Sequence, residues 1–279
     1  MLLADKYYIE NLSKILDNGC LDENPRPKYK DGTPAYTKFI TQVFEIYDIS
    51  KGEMPITTLR NTSIKTGIKE ILWIYQKQSN SLDVAHELGI HWWDNWDIGN
   101  GTIGNRYGYT VNKYNLINEL LTELKENPFG RSHIINLFQY ENLKSSKGLF
   151  PCAYETMWSV RKINGEMYLD LTLNQRSNDY IMAGYINKVQ YVALQMMIAG
   201  HLGYKCGTFA HYVHNLHIYD RHYDAAKELM ERSKNINEKL NPKFYLKINK
   251  NFYDYTINDF EFIDIDKIKP LENKLEIAI

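Results

Sequence analysis

The chain has 279 residues, enough for one large domain or two small ones. Hydrophobic residues make up 44% and charged residues 24%, and the formal net charge is −1. That balance suits a globular protein and excludes the global basic field of a nucleic-acid or membrane-surface binder.

In chain order, Lys6–Leu16 has apolar residues at helical spacing and predicts a first helix. The segment 24–34 holds three prolines and Asp31-Gly32 and reads as a loop, whereas Phe39–Tyr47 alternates like a half-buried strand. Ile64–Gln78 is expected to be a helix with Ile64, Ile68, Ile71, Leu72 and Tyr75 along one stripe, and Tyr114–Glu126 another, ended by Asn127-Pro128. Strands are expected at Ile134–Phe138, Thr156–Arg161 and Met167–Leu173, with Asn164-Gly165 as a hairpin turn. Lys188–Leu202 is a strongly apolar helix, and Gly203 suits the left-handed position beyond its end. A strand at Thr208–Val213, a helix at Asp220–Ser233, and strands at Phe244–Ile248 and Phe260–Ile265 complete the chain.

These elements lack regular βαβ alternation. They point to an α/β chain of the α+β type: one domain, residues 1–279, with a large mixed sheet and helices packed on one side. The uncovered sheet face is expected to form the interface of a symmetric dimer. The cysteines Cys20, Cys152 and Cys206 are odd in number and widely spaced, which fits neither a disulfide framework nor zinc and suggests a reducing cytoplasm. Met1–Asn11 contains Asp5 and Glu10 and no signal-like apolar run, and no stretch approaches the ~18 apolar residues of a bilayer span.

Three polar clusters could do chemistry. Cys152 follows Pro151 at the mouth of a strand; alone, a cysteine is more often a small buried hydrophobe. The cluster Gln175-Arg176-Ser177-Asn178-Asp179 ends the next strand, so the hairpin can bring Arg176 beside Cys152, where a guanidinium would lower the thiol pKa. The plainer reading of that cluster is a polar surface loop. His211, His214, Asn215, His217, Tyr219 and His222 crowd a third segment. In a strand, His211 and His217 share a face that His214 does not, and no His-x-His or His-x-x-x-His pair comes with a nearby carboxylate ligand, so metal is disfavoured. His217 and Tyr219 face one way and suit two donors grasping one ligand hydroxyl. Glu70 would ordinarily lie on the wet face of its helix, and Trp92, Trp93 and Trp96 could be core or could stack on a flat heterocycle.

Pro151-Cys152, Gln175 to Asp179, Asn187 and His217-Ile218-Tyr219 follow one another in an order that resembles the folate-dependent, flavin-free thymidylate synthases. Asp31-Gly32-Thr33, Pro55-Ile56-Thr57-Thr58, Lys69 to Trp73, Trp93-Asp94-Asn95-Trp96, Tyr107-Gly108, Phe252-Tyr253-Asp254 and the terminal Ala278-Ile279 extend the likeness over nearly the whole chain. Cys152-Ala153-Tyr154-Glu155-Thr156 looks like the Gram-positive branch.

The resemblance implies a methyltransferase that converts dUMP to dTMP, with 5,10-methylenetetrahydrofolate as both carbon donor and reductant and with no metal or flavin. It implies Cys152 as the nucleophile at uracil C6, Glu70 and Tyr107 for proton transfers, and Arg176 and Asp179 in the catalytic set. Asn187 would select uracil, His217 and Tyr219 would hold the sugar 3′-hydroxyl, and Gln175 and Asp179 would also border dUMP. Arg176 and Ser177 would bind the phosphate, with Arg26 or Lys30 from the N-terminal loop and Arg131 from the partner of a homodimer. Trp93, Asp179, Ala278 and Ile279 would contact the folate.

Several positions depart from the family pattern: Ser132 replaces a second arginine, Ala183-Gly184-Tyr185-Ile186-Asn187 replaces Gly-Leu-Pro-Phe-Asn, His214-Asn215 replaces Gly-Asp, and Ala153 replaces histidine. The alternative within the same fold is a pyrimidine nucleotide 5-hydroxymethylase, against which Asn187, Trp93 and the Ala-Ile terminus argue. A regulatory role on its own messenger RNA is the alternative from another class, and the absence of a basic stripe argues against nucleic acid as the main partner.

Overall fold

Apolar residues three or four apart put Ala4, Tyr8, Leu12 and Ile15 on one buried stripe of the first helix. The computed structural model describes residues 1–279. Its eight helices are α1 (Leu3–Asn18), α2 (Ile64–Ile71), α3 (Leu82–Glu87), α4 (Gly108–Lys113), α5 (Leu116–Glu126), α6 (Tyr140–Ser145), α7 (Ile186–Leu202) and α8 (Tyr223–Arg232).

A seven-stranded mixed sheet is built from β1 (Cys20–Leu21), β2 (Thr37–Asp48), β3 (Ile134–Asn136), β4 (Ala153–Ile163), β5 (Glu166–Gln175), β6 (Asn178–Asp179) and β7 (Lys205–Tyr219). Its order is β1-β2-β7-β5-β4-β3, with β6 beside β7. β5 and β6 run parallel to β7, and the remaining pairs are antiparallel. β8 (Lys243–Leu246) and β9 (Phe260–Ile263) form a separate antiparallel pair.

The β4–β5 hairpin turns at Asn164-Gly165, where both residues have positive φ, 51° and 87°. Because strand side chains alternate, Val43, Glu45 and Tyr47 of β2 point into the core while Phe44 and Ile46 stay exposed. The register continues that outer face across five strands: Ile46 pairs with Ala210, Ala210 with Thr172, Thr172 with Met157, and Met157 with Ile134.

α7 covers the inner face and is buried almost all round, from Lys188 to Gly200, which explains its near-continuous apolar sequence. It packs against α2 at Gly67, where a Cβ would come within 3.2 Å of Ile186 Cγ2. Gly203 ends the helix at φ 71°, as its sequence position predicts. The buried Lys188 ammonium pairs with the Glu45 carboxylate. Glu45 also accepts from Asn11 Nδ2 at 3.0 Å and from the Tyr47 hydroxyl at 2.6 Å. Such a charge survives burial because its lone pairs are occupied.

Three expectations need correction. The helix expected over Ile64–Gln78 is α-helical only to Ile71; Leu72–Gln76 forms a wider π turn that buries Trp73 and Tyr75 together. The strand expected at Thr208–Val213 runs from Lys205 to Tyr219, because pairing with β2, β5 and β6 carries it through its polar second half. The helix expected from Asp220 opens with a tighter 3-10 turn, Asp220–His222. α3, α4 and α6 are each six residues long, too short for a periodic signal.

Candidate active site

The carboxyl ends of β5, β6 and β7, the N-terminus of α7, the loop holding Arg26 and Pro27 and the C-terminal tail surround a cavity of about 790 Å³. Its wall contains Arg26, Glu70, Trp93, Tyr107, Cys152, Gln175, Arg176, Ser177, Asp179, Asn187, His217, Tyr219, Ala278 and Ile279. Residues far apart in sequence and picked out separately therefore meet in one place. Arg131 does not join them; it is exposed just ahead of β3. Of the two candidates in the N-terminal loop, Arg26 reaches the wall and Lys30 does not.

Cys152 lies immediately before β4, and the β4–β5 hairpin sets it opposite the end of β5: the Arg176 amide donates to the Cys152 carbonyl at 2.9 Å. The guanidinium then folds over the thiol. Arg176 Nη2 reaches Cys152 Sγ at 3.4 Å, while Nε and Nη2 donate to the carbonyls of Pro151 and Phe150 at 2.9 and 2.7 Å. The net effect differs from the sequence expectation of a depressed thiol. Burial pushes Cys152 above its ordinary range, and Arg176, followed by Arg26, pulls it back. Cys206 has no such cation, and burial pushes its thiol up to about 12.

Tyr107 sits behind Cys152. Its hydroxyl accepts from the Cys152 amide at 3.0 Å, leaving its own proton free to point elsewhere. The tyrosine has φ 48°, an uncommon conformation for a bulky residue. The next residue must be small: a Cβ on Gly108 would meet the Ser79 carbonyl at 2.0 Å.

Glu70 contradicts the plain sequence reading of a solvated face, for it is only 7% exposed. The π turn beyond α2 and the Trp92-Trp93 segment enclose it, and Trp92 Nε1 donates to Oε2 at 2.5 Å. Burial raises its pKa to about 7, against the opposing pull of Trp93, Trp92 and Gln190. A carboxyl poised there can exchange a proton near neutrality. Trp93 is also largely buried and packs edge-on against Tyr107, with ring centres 5.4 Å apart.

Asn187 opens α7 within a chain of amides. Its Oδ1 accepts from Gln175 Nε2 at 3.0 Å, with Asn178 Nδ2 more distant at 3.4 Å, and its Nδ2 donates to Gln190 Oε1 at 2.9 Å. Gln190 is a site residue that the sequence reading missed; its spacing of three from Asn187 on a helix was the available signal. His217 and Tyr219 lie on the same side of β7, their rings 5.2 Å apart, and burial holds the His217 imidazole below its usual pKa. Asp179 Oδ1 accepts the amides of Ile181 and Met182 at 3.2 and 3.0 Å, which stabilises the turn into α7.

The C-terminal tail is tied to the loop that follows β1 beside the cavity. Ile279 and Lys28 exchange backbone hydrogen bonds of 2.8 and 2.9 Å. Arg221 bridges Asp31 and Glu276, each at 2.7 Å, with its guanidinium 3.9 Å from the Tyr29 ring centre. Away from the cavity wall, His86, His91 and Asp94 gather their ligand atoms within 4.8 Å at an exposed corner, where His86 Nε2 and Asp94 share a 2.7 Å hydrogen bond.

A thiol under a guanidinium, a buried carboxyl raised toward neutrality and an amide oriented by its neighbours thus share one cavity wall. Comparison with known proteins gives the family. The sequence profile described as Thymidylate synthase matches residues 6–277. The thymidylate synthase of Streptococcus sanguinis (strain SK36) is 48% identical over 283 residues, and that of Streptococcus pneumoniae (strain 70585) 49%, with both chains fully covered in each case. The solved structure of thermostable thymidylate synthase A from Bacillus subtilis superposes with a TM-score of 0.88 at 35% identity, covering 99% of each chain. The chain belongs to the thymidylate synthase family, and its activity is that of a thymidylate synthase, EC 2.1.1.45, in dTMP formation. No helix is long and apolar enough to cross a membrane.

Proposed function

We propose that the cavity binds dUMP and a methylenetetrahydrofolate side by side and that Cys152 opens the reaction by adding to C6 of the uracil ring. The observation that carries this reading is the 3.4 Å approach of Arg176 to the Cys152 sulfur inside a cavity that also holds Glu70 and Asn187. Forming the sulfur–carbon bond turns C5 into an enolate carbon, nucleophilic enough to take a one-carbon unit. The folate supplies both that carbon and the hydride that completes the methyl group, so dihydrofolate leaves with dTMP.

This chain's own groups handle charge and protons. Glu70 exchanges a proton with the pyrimidine oxygen and the opening folate ring, which its pKa of about 7 suits. The Tyr107 hydroxyl, whose oxygen already accepts from the Cys152 amide, assists removal of the C5 proton. Arg176, Ser177 and Arg26 hold the phosphate, and His217 with Tyr219 holds the 3′-hydroxyl. Asn187 reads the N3 and O4 edge, and Gln175 supports it. Trp93, Asp179, Ala278 and Ile279 flank the folate, and the Ile279–Lys28 pairing excludes water from the reacting carbons.

The assembly is a homodimer formed through the outer sheet face. Ile46, Ala210, Thr172, Met157 and Ile134 make one rank across five strands, with Phe44 exposed beside it. Arg131 projects from the chain near β3 and would complete the partner's phosphate site. The reduced thiols and the absence of a membrane span fit a cytoplasmic enzyme.

Product analysis tests the reading. Incubation with dUMP and methylenetetrahydrofolate should yield dTMP; hydroxymethyl-dUMP would instead mean that water reaches the intermediate.

A further inference from the structure

His211 belongs to the histidine-rich segment, yet the reaction described above gives it no task. It is 1% exposed on the inner face of β7. Its Nε2 lies 2.8 Å from Gln175 Oε1, its Nδ1 has no partner, and its ring lies nearly parallel to that of Phe209, the planes 15° apart.

The direction of each hydrogen bond follows from one carbonyl. Gln175 Nε2 lies 3.0 Å from the Ser177 carbonyl oxygen, which can only accept, so the amide nitrogen must face it. Gln175 Oε1 therefore faces His211, and His211 Nε2 must carry the proton. The same Gln175 nitrogen donates to Asn187 Oδ1, so Asn187 Nδ2 donates to Gln190 Oε1. A flipped Asn187 would set nitrogen against nitrogen and oxygen against oxygen at both contacts.

In the enforced orientation, Nδ2 retains one hydrogen and Oδ1 can still accept, since the Asn178 approach at 3.4 Å is long enough to yield. That pair complements uracil, with O4 accepting and N3–H donating. Cytosine, with N3 accepting and its 4-amino group donating, needs the flipped amide. Burial, and then the nearby Lys188 ammonium, holds the His211 imidazole well below its usual pKa, so it stays a single-proton donor.

We propose that His211 is a positioning residue for base selection: its Nε2–H anchors Gln175, and Gln175 locks Asn187 in the orientation that takes uracil and refuses cytosine. This rests on the reading of Asn187 as the base-selecting residue.

The test compares His211→Phe, which keeps a flat ring and loses the donor, with His211→Gln, which can restore it. The readout is the ratio of dissociation constants for dCMP and dUMP. We expect that ratio to fall about tenfold in His211→Phe, as the loss of one buried hydrogen bond implies, and to recover in His211→Gln. A long-range 15N–1H spectrum of the unmodified protein should show the Nε2–H tautomer for His211. An unchanged ratio in His211→Phe, or an Nδ1–H tautomer, overturns the proposal. Should His211→Phe fail to fold, the tautomer decides. Asn187→Asp separates the two readings: a changed ratio there with none in His211→Phe rejects His211 alone, and no change in Asn187→Asp rejects base selection by this amide altogether.

Discussion

Arg176 Nη2 lies 3.4 Å from Cys152 Sγ, and the same guanidinium holds the carbonyls of Phe150 and Pro151. The arginine thus fixes the backbone on which Cys152 sits as well as facing its sulfur. Burial and the cations Arg176 and Arg26 act on the thiol in opposite senses. Cys152→Ser keeps the shape and removes the thiolate. We expect turnover to fall at least about a thousandfold while dUMP still binds, as measured by steady-state rates and calorimetry. Normal dTMP formation by that variant would refute the nucleophile assignment.

Glu70 gives a pH-dependent stability signature. Its carboxyl titrates at about 7 in the folded chain against an ordinary 4.5. Between those values the folded protein keeps a proton that the unfolded chain has released, so stability from this group is fully present below pH 4.5 and is lost as pH rises through 7. Glu70→Gln is neutral throughout and escapes the loss. Its stability relative to the parent should improve from pH 5 to pH 8, by up to about 3 kcal/mol. Chemical denaturation at the two pH values checks this, and a flat difference would mean that Glu70 is not held protonated. Activity of the same variant should drop by about a hundredfold or more.

Selectivity should follow the Asn187 amide. Asn187→Asp can protonate to present the pattern that cytosine needs, and it should therefore relax discrimination against dCMP. Competition kinetics with dUMP and dCMP measure this, and unchanged selectivity would remove Asn187 from its proposed role.

The terminal residue contributes two backbone hydrogen bonds to Lys28. Deleting Ile279 removes both and leaves the tail held only upstream, where Arg221 ties Glu276. We expect kcat to fall by roughly tenfold or more with a smaller change in dUMP affinity, because closure serves the reaction more than nucleotide binding. Equal losses in both would contradict that division.

A charge in the outer rank of the sheet should separate the proposed dimer. Met157→Asp places a carboxylate between Thr172 and Ile134 on an exposed face, where it costs the single chain little. Sedimentation should show a monomer with depressed activity, and an active dimer would exclude this face as the interface.

The main elements were readable from the sequence because their patterns are strong: the apolar length of α7, the alternation of β2, and Asn164-Gly165 at the hairpin. Cavity-lining residues were readable where a residue type carries its own chemistry, as with Cys152, Arg176 and His217, which share one wall. Glu70 was harder. A helical wheel puts a glutamate beside apolar neighbours without saying whether the Trp92-Trp93 segment will cover it. The π turn after Ile71 shifts the helical phase, which no periodicity over Ile64–Gln78 reveals. His211 and Gln190 were not legible as site residues because their partners, Gln175 and Asn187, come from other elements. Arg131 stays outside its own chain's cavity.

The central claim is that Cys152 bonds to the uracil ring while folate occupies the same cavity. Its most direct test is mass spectrometry of the protein after incubation with 5-fluoro-dUMP and methylenetetrahydrofolate. The fluorine at C5 blocks the proton loss that would release the product. The account predicts a stable adduct carrying both ligands on the peptide that contains Cys152. An adduct on Cys20 or Cys206, or no covalent adduct at all, would contradict it.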